Sequence, residues 1–477
     1  MSKVVIPAQS IALLRLITAA TAVSDGYDLG VVNGVSMILA NTYSKQVISF
    51  FVSVLPAFVA LGALGGALTA DKFGRKPVLI LSYLLLIGGA GIMAVPGHLM
   101  ITIAGRALVG LGVGIGGVVG TVYMAEIAPT KNRGSLVAQE TLFVSCGLLL
   151  GYLSNYLFMG SNHNYNLMLG LGAVLPAFCL VALLTIGRTL PESPHWERLN
   201  AQEEQEHLVP VDAGNDDVAV VKSIKQLFSE FWASPGAFPA MLVGVLQPLC
   251  GIGPILYFSD LTFSTIETNS ITAEEEGTLI QVQPVIAMSS IYIGLVKVVT
   301  LLISTLFLMD RVGRKTLLLT SSFLIVASMA FIGSVITWVS SSQSLLLFAF
   351  CCAVFSYALG WNCVTAVYPS EVLPTKIRTF GISVMTIGGR LISVTNAFLF
   401  PLVGLQRPNI WFFTFAGINA VSFGLVLTYL KETLNKPLIL GYASGKAELS
   451  DREEIADYPQ PEEEREEEAP QNSNSRI

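Results

Sequence analysis

Long apolar runs separated by short polar segments dominate the chain. Because a helix needs about 20 apolar residues to cross the hydrocarbon core of a bilayer, each such run predicts a membrane span. Twelve runs qualify, with approximate limits 10–38, 47–70, 77–95, 99–123, 136–158, 167–187, 237–261, 283–309, 316–338, 344–369, 380–404 and 409–430. The pattern therefore predicts an all-α membrane protein with twelve transmembrane helices.

Two charged signatures occur twice along this pattern, once in each half of the chain. DKFGRK at 71–76 recurs as DRVGRK at 310–315, and EIAPTKNR at 126–133 recurs as EVLPTKIR at 371–378. Each signature separates apolar runs, so we interpret the chain as an internal duplication of six spans. Repeats of this size are typical of secondary transporters, whose substrate sites lie between the repeats near the bilayer midplane.

Polar segments divide the chain into four predicted parts. We expect a first six-helix bundle at 1–189, a cytoplasmic linker with short helices at 190–236, and a second six-helix bundle at 237–436. The segment 437–477 is acidic and rich in proline, and it is predicted to be a disordered cytoplasmic tail. Too little apolar surface is present there to offset the entropy cost of ordering.

Composition supports a lipid environment. The chain is 53% hydrophobic and 13% charged, whereas soluble proteins are about 25% charged. The net charge of −6 reflects the tail, because from Glu448 onward eleven Asp and Glu stand against three Arg. That balance therefore gives no indication of a nucleic-acid partner.

Basic residues are concentrated in one set of loops between the predicted spans. The opposite set holds only Lys45 and Arg407. By the positive-inside rule, the basic loops and both termini are expected in the cytoplasm, and the plasma membrane is the expected location. The basic set comprises Lys72, Arg75, Lys76, Lys131, Arg133, Arg311, Arg314, Lys315, Lys376 and Arg378.

The acids and bases of the four signatures could form an ion-pair belt. Such a belt would hold the two halves together when the cytoplasmic side is shut, and it would open in the other state. Ordinary membrane-flanking charge is the alternative interpretation. The belt residues are Asp71, Arg75, Glu126, Arg133, Asp310, Arg314, Glu371 and Arg378.

The signatures, together with GRALVGLGVG at 105–114 and PESPHW at 191–196, resemble the sugar porter family of the major facilitator superfamily. The resemblance covers roughly 20–435. GYDLGVVNG at 26–34 and the stretches 133–156 and 294–315 are most similar to plant polyol/monosaccharide proton symporters. The resemblance implies the major facilitator fold of two six-helix bundles, and a transporter rather than an enzyme.

Asp28 lies deep in the first predicted span, and Arg106 lies near the start of the fourth. The resemblance implies that Asp28 takes up a proton and that Arg106 pairs with it. An apolar surrounding favours a neutral acid, whereas a nearby guanidinium favours the charged form. Moving the arginine away would therefore let the acid bind a proton. A static buried salt bridge is the alternative.

Four further charges lie within or beside predicted spans, where a charge is costly unless it faces a cavity or a partner. Asp25, one turn before Asp28, is interpreted as a second titratable site or as part of a wet vestibule. Glu140, Lys297 and Arg390 each match a charge that recurs in the polyol-transporter pattern. Interhelical ion pairing is the favoured role for these three, and lining the inner cavity is the alternative.

The predicted pocket departs from the family pattern. Sugar porters carry QQxxGxN in the seventh span, but here Gln247 is followed by Pro248, and Gly253 replaces the Asn. Pro248 and Gly253 are expected to bend or break this helix, as suits a gating segment. The expected substrate-binding residues are Gln247, Tyr257, Thr141, Glu140, Trp361 and Asn396.

The sequence thus predicts proton symport of a monosaccharide or polyol by alternating access, without a cofactor or metal. Three alternatives stay open. An uncoupled facilitator would share the fold, and an organic-anion or phosphate proton symporter is suggested by Lys297 and Arg390. A non-transporting nutrient sensor that signals through the tail is the third.

Overall fold

The computed structural model describes residues 8–127, 133–158, 165–185, 192–193, 196, 224–270, 284–339, 342–374 and 377–434. Every secondary-structure element in these ranges is helical. The tail predicted at 437–477 and most of the linker predicted at 190–236 lie outside the described residues.

The first half packs around a long, partly polar helix, α1, which lies along α5. Helix α4 packs against both α2 and α3. Helices α6 and α7 are joined by the 3-10 turn Leu171–Ala173 into one span. The elements are α1 Ala8–Ala40, α2 Lys45–Phe73, α3 Arg75–Ala94, α4 Leu99–Ile127, α5 Arg133–Phe158, α6 Tyr165–Gly170 and α7 Val174–Thr185.

The second half repeats this arrangement with more interrupted helices, and a short helix, α8 Ile224–Ala233, precedes it. π-helical turns follow α11 at Ser304–Leu308 and α16 at Phe400–Gly404. The elements are α9 Ala237–Leu249, α10 Ile252–Ser270, α11 Pro284–Ile303, α12 Met309–Val312, α13 Arg314–Trp338, α14 Gln343–Leu359, α15 Trp361–Val372, α16 Arg378–Leu399 and α17 Pro408–Tyr429.

Eleven segments of the described chain have the length and hydropathy of membrane spans. Helix α1 falls below them in hydropathy because Asp25, Asp28 and Asn33 interrupt its apolar sequence. It packs inside the bundle, against α5, α4 and α10. With α1 included, the described helices form the twelve spans predicted from the sequence. Large apolar side chains such as Leu61, Phe178 and Phe323 are exposed on the outside, where lipid would surround them.

The signature turns of the two halves have the same geometry. Gly74 separates α2 from α3, Gly313 separates α12 from α13, and both have φ of 92°, which side chains other than glycine rarely adopt. A carboxylate then accepts from the first two backbone amides of the following helix. Glu192 binds Arg75 N and Lys76 N at 3.0 and 3.3 Å, and Glu432 binds Arg314 N and Lys315 N at 2.7 and 3.0 Å.

The seventh span breaks at Cys250 and Gly251, between α9 and α10. Gly251 has φ of 78°, and a Cβ added there would lie 2.6 Å from the Phe415 ring. The sequence-based prediction placed the break at Pro248 and Gly253. Pro248 instead lies in the last turn of α9 and Gly253 in the first turn of α10, because the residue with the left-handed backbone lies between them.

A Gly251→Ala substitution should destabilise the protein by more than about 1 kcal/mol, since it adds both backbone strain and a clash with Phe415. The matched control is Gly253→Ala, where the nearest atom that an added Cβ would meet lies 3.7 Å away. Thermal unfolding of the detergent-purified variants measures the difference. Equal stability of the two variants would contradict this account.

Glu432 should stabilise the start of α13 in a pH-dependent manner. Burial raises the pKa of its carboxyl, but the amides of Leu434, Arg314, Thr433 and Lys315 more than offset this and leave the pKa below its usual value. A lowered folded-state pKa means that the stabilisation is present above the unfolded-state pKa and is lost as the pH falls through the folded-state pKa.

Glu432→Gln should therefore cost about 1 kcal/mol at neutral pH, the usual worth of a helix cap, and the difference from the unsubstituted protein should shrink in acid. Melting temperatures between neutral and acidic pH provide the measurement. Glu453→Gln removes the same charge in the acidic segment and serves as the control. If the melting temperature of Glu432→Gln were lower than that of the unsubstituted protein by the same amount at every pH, this role of Glu432 would be ruled out.

Candidate functional site

A cavity of about 310 Å³ lies between the two halves of the molecule. Its walls are formed by α1, α2, α4 and α5 of the first half and by α9, α10, α11, α14, α15 and α16 of the second. The volume is at the lower end of the range for small-molecule sites. The duplication therefore places a small concave site at the interface of the repeats.

Four charged side chains line this cavity, with the acids on one half and the bases on the other. The acids Asp25 and Glu140 come from α1 and α5, and the bases Lys297 and Arg390 come from α11 and α16. An Arg390 Nη2 donates to Asp25 Oδ2 at 2.9 Å, so an ion pair joins the two halves across the cavity. Glu140, Lys297 and Arg390 all line the cavity, and Arg390 also makes an interhelical ion pair, the role favoured from the sequence.

Glu140 and Lys297 face the cavity without joining each other. Thr121 Oγ1 donates to Glu140 Oε2 at 2.6 Å, which fixes the carboxylate on the first-half wall. Lys297 is only 3% exposed, and Asp25 is the charged group that acts on it electrostatically. The cavity therefore presents acceptors on one wall and donors on the other.

Uncharged polar side chains complete the second-half wall. Gln247 Nε2 donates to Tyr357 Oη at 2.9 Å, and Asn396 Nδ2 donates to the Pro248 carbonyl at 3.0 Å. The carbonyl of Pro248 is available because the helix breaks just beyond it. Tyr257 and Thr141 also line the cavity, so the structure brings together five of the six side chains predicted to bind substrate.

The structure corrects the prediction for Trp361. Its side chain is fully buried, and its indole N–H donates to Ser322 Oγ of α13 at 2.9 Å, away from the cavity. The reason is the break at Gly360, which starts a new helix at Trp361. Asn362 lines the cavity instead, and its buried Nδ2 has no hydrogen-bond partner among the described residues.

The contact expected between Asp28 and Arg106 is not made in this conformation. The Arg106 Nε donates to the Phe51 carbonyl at 3.0 Å, and the guanidinium lies over the Phe51 ring at 4.5 Å. Asp28 is buried behind the cavity wall, and Arg106 and Asp25 are the charges that act on it electrostatically. In this conformation Arg106 is therefore bound to Phe51 rather than to Asp28.

The described ion pairs of the signatures lie within one half each. Arg75 makes two hydrogen bonds to Glu126, at 2.8 and 3.1 Å, and Arg314 Nη2 contacts Glu371 Oε1 at 2.9 Å. The side chains of Asp71, Arg133, Asp310 and Arg378 lie outside the described residues. We call the face that carries these turns the signature side and the opposite face the far side.

Side-chain contacts close the far side of the cavity. Tyr152 of α5 donates to the Leu256 carbonyl of α10 at 2.8 Å, and Asn33 of α1 donates to Ser290 of α11 at 2.9 Å. Asp260 belongs to the same layer, and sequence reasoning missed it. An acid inside an apolar run was the available signal.

Comparison with known sequences identifies the family. The profile of the Sugar (and other) transporter family matches residues 14–440. The chain belongs to the sugar transporter family. The resemblance stated from the sequence is therefore confirmed, and as a member of this family the protein is a transporter rather than an enzyme.

Among curated proteins, this sugar transporter is similar to polyol transporter 5 of Arabidopsis thaliana, with 26% identity over 89% of this chain and 84% of the relative. It is 27% identical to the glucose transporter GlcP of Staphylococcus epidermidis, over 87% of this chain and 92% of the relative. Among solved structures, the proton:xylose symporter XylE shares the fold, with a TM-score of 0.71 and 20% identity over 90% of this chain and 98% of that chain. The major facilitator fold is thus confirmed.

The Asp25–Arg390 pair should couple the two halves energetically. Asp25→Asn and Arg390→Gln should each destabilise the purified protein, because each leaves an unpaired charge in a largely buried site. The double variant should be more stable than the sum of the two losses implies, by about 1 kcal/mol or more. Melting temperatures complete the cycle. Asp25→Asn combined with Glu432→Gln, which share no contact, should be additive; an additive Asp25–Arg390 cycle would exclude the coupling.

Proposed function

We propose that the protein is a secondary active transporter that carries a monosaccharide or polyol together with a proton. The observation that carries this proposal is the cavity between the halves, whose two walls hold opposite charges joined by a breakable ion pair. The printed names of its relatives, polyol transporters and a glucose transporter, support the substrate class. The proton:xylose symporter that shares the fold supports coupling.

Hydroxyl groups suit the second-half wall. Gln247, Asn362 and Asn396 can each donate to and accept from a sugar or polyol hydroxyl. Asn362 supports this role because its Nδ2 is buried and has no partner among the described residues, and a bound hydroxyl would satisfy it. On the opposite wall, Thr141 and Glu140 would hold the other end of the solute.

Alternating access would proceed by exchanging one closed layer for another. The cavity residues Asp25 and Glu140 precede the far-side contacts Asn33 and Tyr152 along α1 and α5, so the cavity lies on the signature side of a shut layer. By the positive-inside rule the signature side and both termini are cytoplasmic, and we place the protein in the plasma membrane. This conformation would then face inward, with the signature pairs held inside each half.

Asp28 would carry the proton, and Arg106 would change its contacts according to whether Asp28 is protonated. In this conformation Phe51 holds the guanidinium. In the other state, movement of α1 against α4 would let Arg106 approach the ionised Asp28 and stabilise it. Protonation of Asp28 would release Arg106 to Phe51 and so favour passage of the loaded transporter. Asp25, interpreted from the sequence as a second titratable site or as part of a wet vestibule, lines the cavity and would stay paired with Arg390 while the site is empty.

An organic-anion or phosphate symporter is a second candidate. Lys297 and Arg390 both line the cavity, and a bound carboxylate or phosphate could replace Asp25 as the partner of Arg390. Competition of the transported solute with polyols, but not with carboxylates or phosphate, would exclude this candidate.

Reconstituted protein should accumulate a monosaccharide or polyol inside vesicles when an inward proton gradient is imposed. Asp28→Asn should abolish accumulation, because the amide cannot bind a proton, while leaving solute exchange without a gradient. Radiolabelled uptake over a panel of sugars, polyols and anions measures both activities. Glu453→Gln, in the acidic segment after Glu448, is the matched control.

Three results would contradict the proposal. Accumulation that survives in Asp28→Asn would exclude Asp28 as the coupling site. Exchange in the unsubstituted protein without gradient-driven accumulation would indicate a facilitator. Absence of transport for every solute, with a signalling output that requires the segment after Lys446, would indicate a sensor.

A further inference from the structure

The far-side layer contains an acid that the proposed function does not use. Asp260 of α10 is fully buried. Its Oδ1 accepts a hydrogen bond from Ser290 Oγ of α11, while its Oδ2 is buried and has no hydrogen-bond partner among the residues that the structure describes. A carboxyl group inside a membrane span, half satisfied and shut off from water, requires an explanation.

A kink in α10 places Asp260 at the interface of the halves. Phe258 has non-helical angles, φ −137° and ψ 20°, and such a kink interrupts the helical hydrogen-bond ladder. The backbone groups on either side of it bond to the first half. The Leu256 carbonyl accepts from Tyr152 at 2.8 Å, and the Asp260 amide donates to Asn33 Oδ1 at 3.2 Å.

The side chains around Asp260 form one connected cluster. Asn33 Nδ2 donates to Ser290 Oγ at 2.9 Å, and Ser259 Oγ lies 2.8 Å from the same oxygen. Ser290 has a single hydroxyl proton, and the Asp260 carboxyl accepts it. Asn33 belongs to the first half and the other three to the second, so this cluster exists only while the far side is shut.

No charge compensates Asp260 among the described groups. Helix α5 presents Tyr152, and α1 and α11 present Asn33 and Ser290. Asp28 and Lys297 lie five and seven residues along their helices from these contacts, about 8 and 10 Å along the helix axes. On the cavity side, Tyr257 of α10 shares the lining with Arg390 of α16 and Tyr357 of α14, and Asp260 is not part of that lining.

The burial and the hydrogen bonding of Asp260 together determine whether its carboxyl group is ionised or neutral in the closed state. An ionised carboxylate without water, without a cation and with one oxygen unpaired is strongly disfavoured relative to the neutral acid. Opening the far side would separate Asn33 from Ser290 and admit water, which stabilises the ionised form. The two states therefore differ in their affinity for a proton at this position.

We propose that Asp260 is a second proton-binding site, which holds a proton while the far side is closed and passes it to water when that side opens. The proposal rests on the alternation of access described above but not on Asp28. It makes the far-side closure itself pH-dependent. Acid on the far side favours closure and alkali favours opening, by up to about tenfold in the ratio of the two states per pH unit, the limit for one linked proton.

Pulsed electron paramagnetic resonance can measure this ratio. Spin labels at Thr42→Cys and Gln406→Cys would report the separation of the halves, because both positions are exposed on the far side. The six native cysteines would be replaced, and transport by that background verified first. The measurement would use Asp28→Asn protein in lipid nanodiscs over a series of pH values, so that the proton of Asp28 does not contribute.

Adding Asp260→Asn should keep the labels at the short distance of the closed far side, since the amide resembles the neutral acid. The pH dependence of the ratio of closed to open states should then decrease by about one proton. The infrared band of protonated carboxyl groups in the closed state should also lose the contribution of one group. Tyr152→Phe is the matched control. It removes a hydrogen bond at the same kink without removing an acid, so it should favour the open state while the pH dependence persists.

The proposal would be overturned if the ratio of closed to open states depended on pH as steeply in the Asp260→Asn protein as without this substitution. It would also be overturned if the substitution left the infrared band of protonated carboxyl groups unchanged. Asp260→Ser offers a second neutral side chain if the amide variant does not fold. Loss of accumulation in Asp28→Asn bears only on the coupling site proposed above. A pH-dependent label distance without transport of any solute would retain this proposal and reject the transport function.

Discussion

The hydrocarbon core of a bilayer offers no hydrogen-bond partners, and this constraint organises every polar group described here. Asp25 and Arg390 pair across helices, Glu140 and Lys297 face the central cavity, and Arg106 contacts a backbone carbonyl of a neighbouring helix. Where the chain departs from a regular helix, at Gly251 and at Phe258, the exposed backbone groups are taken up by Asn396, Tyr152 and Asn33. Polar groups therefore concentrate where the two halves meet.

Two kinds of polar cluster result, and they differ in what they connect. The signature turns at Gly74 and Gly313 bind Arg, Glu and backbone amides of the same half, so they keep each bundle rigid. The contacts at Asp25 and Asn33 connect opposite halves. A rocking movement requires two rigid bundles whose interface can switch between discrete arrangements. The few hydrogen bonds and the ion pair between the halves can break and reform in such a switch.

Hydrophobic pattern and repeated signatures were sufficient to predict the fold and the family. Local chemistry was harder to predict, because it depends on which way a side chain turns. Trp361 has the right residue type near the pocket but follows the break at Gly360 and faces α13. Pro248 and Gly253 indicated a weak helix, yet the break lies at Gly251, which has a left-handed backbone. Helix propensities do not tell which glycine of a segment adopts that conformation. Asp260 and Glu432 acquire roles only through contacts distant in sequence.

The charges around the cavity cancel in number. Asp25, Asp28 and Glu140 are matched by Arg106, Lys297 and Arg390. With all six ionised, these groups contribute no net charge to the movement of the empty transporter through the membrane field, whereas a proton bound to Asp28 adds one elementary charge. A potential of about 100 mV then contributes about 2.3 kcal/mol to the loaded crossing and nothing to the return. Voltage would thus act on one leg of the cycle alone.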